Sequence, residues 1–484
     1  MSHGRAHAAI VARMNSTATV IVTLVLYKLV LLSIGVWAHR RNQDQGEFLL
    51  GGRRIGAWVT SLSACASTTS AWTLLGVSGF AFAVGPPAIW LTLGIVGGFV
   101  INWCWVAPRI NRAAGQTGAL TLTELLLGGD DACARLARRV ASVIILVCFM
   151  FYVAAQFQAA ANAFNESLGL SVESGIVVGA AVILAYTLLG GFLAVSITDS
   201  VQGALMLLVS ILLPVVTVFF VIALGGSDYI FSVRGEAFSI APPHAGLAAI
   251  GFVIGSLSPA LGQPGQPHVV NRFMAARDYQ AVRRGRIIAL VWVAFVFVGM
   301  TVLGLAGRVL YSDIGNPEDM FFVVTQRLLP PVLAGIVIAA VLSAIMSTAD
   351  SQLLTGAAAI SRDWNLRRAR RAVGLRFTYA AVTAITVGAT LLALFAPQSI
   401  FLRVLFAWHA LGASLAPLVY MAVLGRQVRS GYALAVLICG FTFTVVLHQQ
   451  PDTPGDWLER LAPFIVTMCI AIAGSRRIAG NNEQ

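Results

Sequence analysis

The chain has 484 residues, of which 58% are hydrophobic and only 11% charged, with a mean hydropathy of +0.83. That balance excludes an ordinary soluble domain and reads as a protein that crosses a membrane many times. The net charge of +12 could mark a nucleic-acid binder, but in a membrane protein basic residues mark the cytoplasmic side, and their distribution here follows that rule.

The N-terminus is polar to about Ser16 and runs into a full-length span, so no cleavable signal peptide is expected. Windows of about 20 apolar residues predict spans over 17–38, 55–84, 87–107, 137–163, 173–190, 193–224, 246–268, 287–309, 330–360, 374–395, 399–423, 431–448 and 461–475. That is thirteen, an all-α integral membrane protein with its termini on opposite faces. The segments after the first, third, seventh, ninth, eleventh and last spans hold 24 of the 32 basic residues, among them Arg53, Arg109, Arg138, Arg272, Arg362, Arg426 and Arg476. The positive-inside rule then puts the C-terminus in the cytoplasm and the N-terminus outside. The run of Arg367, Arg368, Arg370 and Arg371 is most simply a topology anchor, with contact to anionic lipid as a second role. Lys28, the only lysine, sits near the middle of the first span; it is either functional or a side chain that snorkels to a polar neighbour. The six cysteines have no metal-ligand spacing and read as small buried residues.

Within the second span, Ser61-Leu62-Ser63-Ala64-Cys65-Ala66-Ser67-Thr68-Thr69-Ser70-Ala71-Trp72 is small and hydroxylated where a lipid-crossing helix would be aliphatic. Such side chains compete for backbone hydrogen bonds. A helix broken there survives only where protein or a wet cavity satisfies the freed groups. Alone, the stretch is equally a close-packing face. A second interruption, from Gly255 to His268, holds three prolines and three glycines and falls five spans later. Paired interruptions at matching positions point to an inverted-repeat transporter with its site at the midplane. The repeats are then 55–224 and 246–423, preceded by a first helix and loop (1–54) and followed by two further helices and a short tail (424–484). Away from the span ends, only two acidic residues fall inside spans, Asp199 and Asp350, each flanked by hydroxyls that suit a hard cation; either could also brace a helix end. Adjacent Ser347 and Thr348 interrupt an apolar helix and could face the first break. His268 and His409 read as helix-packing histidines rather than proton carriers.

At these residues the chain resembles the sodium/solute symporter family, and most closely its sodium/proline symporter branch. The markers are Leu62-Ser63-Ala64 with Ala66-Ser67, Tyr186-Thr187-Leu188-Leu189-Gly190-Gly191-Phe192, Thr198-Asp199, Gly265-Gln266-Pro267-His268, Arg272-Phe273-Met274-Ala275 and Met346-Ser347-Thr348, in order from Phe48 to about Leu424. The resemblance implies thirteen helices around an inverted five-plus-five core with two broken helices, and import of a small solute, proline or a related amino acid, driven by a sodium gradient across a bacterial inner membrane. It puts the sodium ligands on the carbonyls of Ala66, Thr69 and Ala344 and the hydroxyls of Ser347 and Thr348, with Asp199 near a second cation position. Substrate contacts fall on Ser67, Ser70, Trp72, Tyr152, Gln156, Gln263, Gln266 and Pro267, with Trp408 as an outlying candidate. The chain departs from the branch at Thr68, where the proline transporters carry an aspartate. It departs again at Pro259 and Gln263, which replace an aromatic pair, so the pocket loses ring area and gains an amide. Half-helix N-termini at the break favour a carboxylate in the solute. A rival reading is a membrane sensor that acts through a separate partner, and a symporter for another amino acid or small carboxylate is a third. Paired breaks suit alternating access better than a continuous pore. No nucleophile–base or metal-ligand constellation marks an enzyme.

Overall fold

The computed structural model describes residues 22, 26, 27, 29–31, 33, 34, 50–226, 239–311, 313–364, 375–396 and 399–477. Lys28, the arginines at 367, 368, 370 and 371, and most of the first expected span lie outside the described residues. In chain order the helices of nine or more residues are α1 (Ala57–Thr68), α2 (Trp72–Val84), α3 (Pro86–Thr117), α4 (Ala132–Leu168) and α5 (Val172–Gly190), then α6 (Phe192–Ala223), α7 (Leu247–Gly265), α8 (Pro267–Ala275), α9 (Tyr279–Leu310) and α10 (Met320–Leu328). The chain closes with α11 (Pro331–Asp363), α12 (Leu375–Phe395), α13 (Ile400–Val423), α14 (Ser430–His448) and α15 (Trp457–Gly474). Ten helices among the described residues are long and apolar enough to cross a membrane, and α2 and most of α5 are shorter apolar segments.

The helix boundaries are set by local chemistry. Side-chain oxygens of Asp131, Ser171, Asp278 and Ser399 accept backbone N–H groups at the starts of α4, α5, α9 and α13, which satisfies donors that a helix leaves orphaned. Gly191 separates α5 from α6 at φ 79°, a conformation that only glycine adopts without strain.

Two sets of four follow from the contacts. The interrupted segments α1/α2 and α7/α8 pack with α3 and α9, whereas α4, α5, α11 and α12 pack with one another, α4 against α11 most extensively. The helix α6 bridges α1, α9 and α11, and α13 bridges α4 and α7 while carrying α14 and α15 on its far side. The same order therefore runs twice: interrupted helix, long helix, then two helices of the second set, then a bridging helix. Even the interruptions match. Thr69 lies at φ −96°, ψ 93° and Gln266 at φ −93°, ψ 100°. Beyond α13, the strands β1 (Arg426–Val428) and β2 (Ser475–Arg477) pair antiparallel and tie the ends of α13 and α15.

Two sequence expectations change. The seventh span does not end at His268 but resumes in α8 and carries Arg272 inward, where it is 1% exposed. Arg272 is an interior residue, not a loop charge, because a buried carboxylate receives it. Among the cysteines, Cys65 and Cys148 are buried, but Cys104 and Cys469 are exposed on apolar helix faces.

Lipid is as apolar as the helices, so close backbone approach replaces hydrophobic drive in holding them together. A side chain at Gly412 on α13 would begin 2.6 Å from the Cα of Gly262 on α7. Gly412→Val is expected to cost about 1–3 kcal/mol through overpacking, whereas Gly97→Ala, which meets nothing within 4 Å, should leave stability unchanged or slightly raised. Thermal unfolding of the purified variants checks both.

Candidate functional site

The first break follows from its residues. Ser67 and Thr68 donate their hydroxyls back to the Ala64 carbonyl (3.2 and 2.5 Å), and Thr69 donates to the Cys65 carbonyl (2.7 Å). Three consecutive back-bonds compete with the ladder of α1, and the chain leaves the helix at Thr69. It re-forms as a π-helical turn, Trp72–Val77, before becoming regular; such turns often mark functional sites.

What receives the freed groups comes mostly from the second helix set. Ser347 of α11 donates to the Ala66 carbonyl at 3.0 Å and lies 3.2 Å from the Ala344 carbonyl, and the Thr348 hydroxyl stands 3.5 Å from the Ala66 carbonyl. All of these residues are fully buried. Oxygens held about 2.4 Å from a small hard cation, at right angles to one another, are about 3.4 Å apart. The observed spacings of 3.0–3.5 Å match such a shell once the hydroxyl protons turn away. The structure thus brings together four of the five expected sodium ligands, and Thr69, one turn on, is the first residue beyond the helix.

On the other side of the break, the Ala71 N–H donates to Gln156 Oε1 (3.2 Å) and Ser70 Oγ lies 3.4 Å from the Tyr152 hydroxyl. The Trp72 ring packs against Phe297 and Phe401, 6.2 and 6.1 Å between centroids. At the second break, Gln266 Nε2 donates to the Trp408 carbonyl (3.0 Å), and Trp408 Nε1 donates to the Pro259 carbonyl (3.3 Å). His268, one residue beyond Pro267, turns its ring to Phe149 and Tyr152. Ser70, Trp72, Tyr152 and Gln156 therefore gather at the first break, with Gln266 and Pro267 at the second. Ser67 spends its hydroxyl inside α1. Gln263 faces α3, its Oε1 against Gly98, and both of its amide atoms are buried without a hydrogen-bond partner among the described residues.

Asp199 stands apart from the Ser347 set. Its Oδ2 accepts from Arg272 Nη2 (2.9 Å) and from Ser63 Oγ (2.7 Å), while Arg272 Nε also donates to Ser63 Oγ (2.8 Å). Arg272 reaches Ser351 of α11 and the His268 carbonyl as well. Asp350 accepts from Thr187 of α5 at 2.9 Å.

The sodium:solute symporter family model matches residues 48–440. The chain belongs to this family. It is a membrane transporter and not an enzyme. It is 34% identical to the high-affinity proline transporter PutP of Bacillus subtilis, over 91% of this chain and 94% of that one. It is 32% identical to the sodium/proline symporter of Escherichia coli K12, covering 90% and 89%. Among solved structures, a Na+-coupled sialic acid symporter in a substrate-bound outward-open state superposes with TM-score 0.78 at 18% identity, over 95% of this chain and 99% of that one. A nucleobase-cation-symport-1 family transporter superposes at 0.56 and 12% identity, over 89% and 94%. Both likenesses show the fold, an inverted-repeat transporter core.

Two further polar residues brace the helices that carry the candidate site. Asn102 opens a second π-helical turn, in α3, and donates to the Gln263 carbonyl (3.3 Å). Glu318, in the turn before α10, accepts from the backbone N–H groups of Ile400 and Phe401 (3.3 and 2.9 Å) and so clamps the start of α13. Burial pushes the Glu318 carboxyl above its usual range, and the two N–H donors oppose that shift. Nothing in the sequence around Glu318 says that it reaches a helix eighty residues on.

The ion pair yields a direct test. Removing one partner of a buried pair strands the other, at a cost of about 3–5 kcal/mol. Asp199→Asn and Arg272→Gln are each expected to destabilise the symporter by that order, and the double variant by less than the sum. A double-mutant cycle on thermal unfolding measures it; additive losses would mean that the pair is not coupled.

Proposed function

We propose that this symporter imports proline, or a closely related amino acid, with sodium across a bacterial inner membrane. The observation that carries the reading is the convergence of the Ala66 and Ala344 carbonyls with the Ser347 and Thr348 hydroxyls in a buried setting. The Thr69 carbonyl would complete a five-oxygen shell around the ion. The names of the 32–34% identical relatives support proline as the solute. Ser70, Trp72, Tyr152, Gln156, Gln266 and Pro267 would line its pocket, with Ser67 contributing backbone, and Gln263 would act on it through the α3 face of the second break. The arginine-rich ends of the helices would face the cytoplasm, with the C-terminus inside and the N-terminus outside.

The mechanism follows from which helices the ion touches. Ala66 belongs to the set that contains both breaks, and Ser347 and Thr348 to the other. A cation bound between them ties the sets together, which favours the arrangement that also closes Gln156 and Tyr152 on Ser70 and Ala71. Each ligand then strengthens the other by the same factor, because coupling is reciprocal. The repeats at 55–224 and 246–423 would supply the two moving parts. Asp199 would ligate a second cation only when Arg272 leaves it.

Uptake of labelled proline into proteoliposomes should be driven by an inward sodium gradient and lost when potassium replaces sodium. Ser347→Ala with Thr348→Ala should abolish that uptake while the protein still inserts and purifies as a folded species. Accumulation by the double variant at the parental rate would remove the proposed ion site. Accumulation of proline with a proton gradient alone would keep the solute and overturn the ion.

A further inference from the structure

We propose that the arginine-rich end of the molecule binds a phosphate group in a cavity of about 580 Å³ where α3, α4, α11 and α13 end. Three guanidinium groups from different elements line it: Arg138 near the start of α4, Arg362 near the end of α11 and Arg426 in β1. Arg138 is the informative one. It is 2% exposed, and its Nη1 donates to the carbonyls of Leu127 and Gly129, the latter at 2.8 Å. Its Nε and Nη2 are buried with no hydrogen-bond partner among the described residues. A buried guanidinium with two idle donors is costly unless an acceptor is supplied.

Two of the carboxylates nearby, Glu124 and Asp363, are already engaged. Glu124 accepts from Arg362 Nε (2.8 Å) and from the Leu120 N–H (2.9 Å). Asp363 accepts from the hydroxyls of Thr123 and Ser142. Asp130, also on the wall, is exposed at the rim. An adjoining cavity of about 480 Å³ shares Leu126, Gly129, Gln427 and Val428 with this one and adds Arg429, Arg476 and Arg477 against Asp131 alone. Asp131 is itself occupied by the Ala134 N–H and the Ser430 hydroxyl. The surplus is cationic, and forked guanidinium donors suit the oxygens of a phosphate. Basic pockets between helix ends at the level of lipid headgroups are the usual seats of such groups.

The position also gives the ligand a consequence. Thr117 at the end of α3 belongs to the helix set that contains the breaks, and Arg138 and Arg362 belong to the other. A phosphate held among them bridges the two sets and favours the arrangement seen here. The proposal depends on the topology proposed above only for which leaflet would supply a lipid.

The test measures the thermal stability of the purified full chain with two probes. Inorganic phosphate is titrated in non-ionic detergent, with chloride at matched ionic strength as the control. Separately, nanodiscs of phosphatidylcholine are compared with nanodiscs that also contain phosphatidylglycerol. A saturable rise with phosphate assigns a soluble anion, and a rise with phosphatidylglycerol alone assigns a headgroup. In either case Arg426→Gln, at a half-exposed position, should weaken the effect by about tenfold or more, the value of one charge-assisted hydrogen bond. Arg138→Gln should remove it, and if that variant fails to fold, Arg426→Gln decides. No rise beyond the controls with either probe, or an equal rise in Arg426→Gln, overturns the proposal.

Discussion

A backbone carbonyl freed in a dry interior must find a partner, and much of this structure is arranged around that requirement. Interrupting a helix at Thr69–Ser70 and again at Gln266 leaves peptide groups that lipid cannot satisfy. At the first break the partners come from the opposite helix set: Ser347 on the Ala66 carbonyl and Gln156 on the Ala71 N–H. At the second, Asn102 serves the Gln263 carbonyl and Trp408 the Pro259 carbonyl. The local fault in each helix thus becomes a long-range bond between parts of the molecule. The same oxygens that need partners in a dry protein are those a desolvated cation needs as ligands. Structural necessity and the proposed ion chemistry converge on one cluster.

The interior charge obeys the same logic at higher stakes. Asp199 and Arg272 are almost wholly buried and share Ser63 between them, with Ser351 on the far side of the guanidinium. Their pair joins α1, α6, α8 and α11 at a point where no helix could be withdrawn without stranding a charge. Such pairs add little net stability compared with apolar residues, but they penalise wrong arrangements severely. Where helix backbones come closest, small residues make the contact. Gly299 sets α9 against the Ser210 carbonyl of α6, and Gly304 sets it against the Ser78 carbonyl of α2. Contacts of that kind tolerate sliding far better than a hydrogen-bonded ion pair does. The bundle therefore has smooth joints and a few discrete latches.

Much of the architecture was legible because membrane rules are strong. Apolar length marked most spans, and the clusters of proline, glycine, serine and threonine marked both breaks, because little else explains such residues at mid-membrane. Adjacent Ser347 and Thr348 were legible for the same reason. The charges misled where they lay near a span's end. Arg272 follows the proline-rich break as a loop residue would, and only the resumption of helix at Pro267 carries it inward. Gln263 was legible as polar in an apolar segment, but which way a side chain points at a break depends on local dihedrals, and it turns to α3. Asn102 and Glu318 act across long separations, so their own neighbourhoods carried no sign of their partners. The matching backbone at Thr69 and Gln266 was invisible in sequence, since their side chains have nothing in common.

Thr68 shows how the proposed coupling can work without a fixed charge. Its hydroxyl is spent on the Ala64 carbonyl, so it offers nothing in place of a carboxylate, and the five oxygens around the proposed ion are all formally neutral. They are not electrostatically idle. Ala66 and Thr69 lie at the C-terminal end of α1, where aligned peptide dipoles sum to about half a negative charge. Directly across the break, the start of α2 presents the opposite end of a dipole, with the Ala71, Trp72 and Thr73 N–H groups held by Gln156 and Ser70, and that partial positive charge favours an anion. A cation held on one lip and a carboxylate on the other neutralise both helix ends at once, and each improves the field felt by its neighbour. With no aspartate to hold the ion alone, more of its affinity must come from the solute that binds beside it. The break itself then becomes the coupling element, and a solute without a carboxylate would bind sodium less well than one with it.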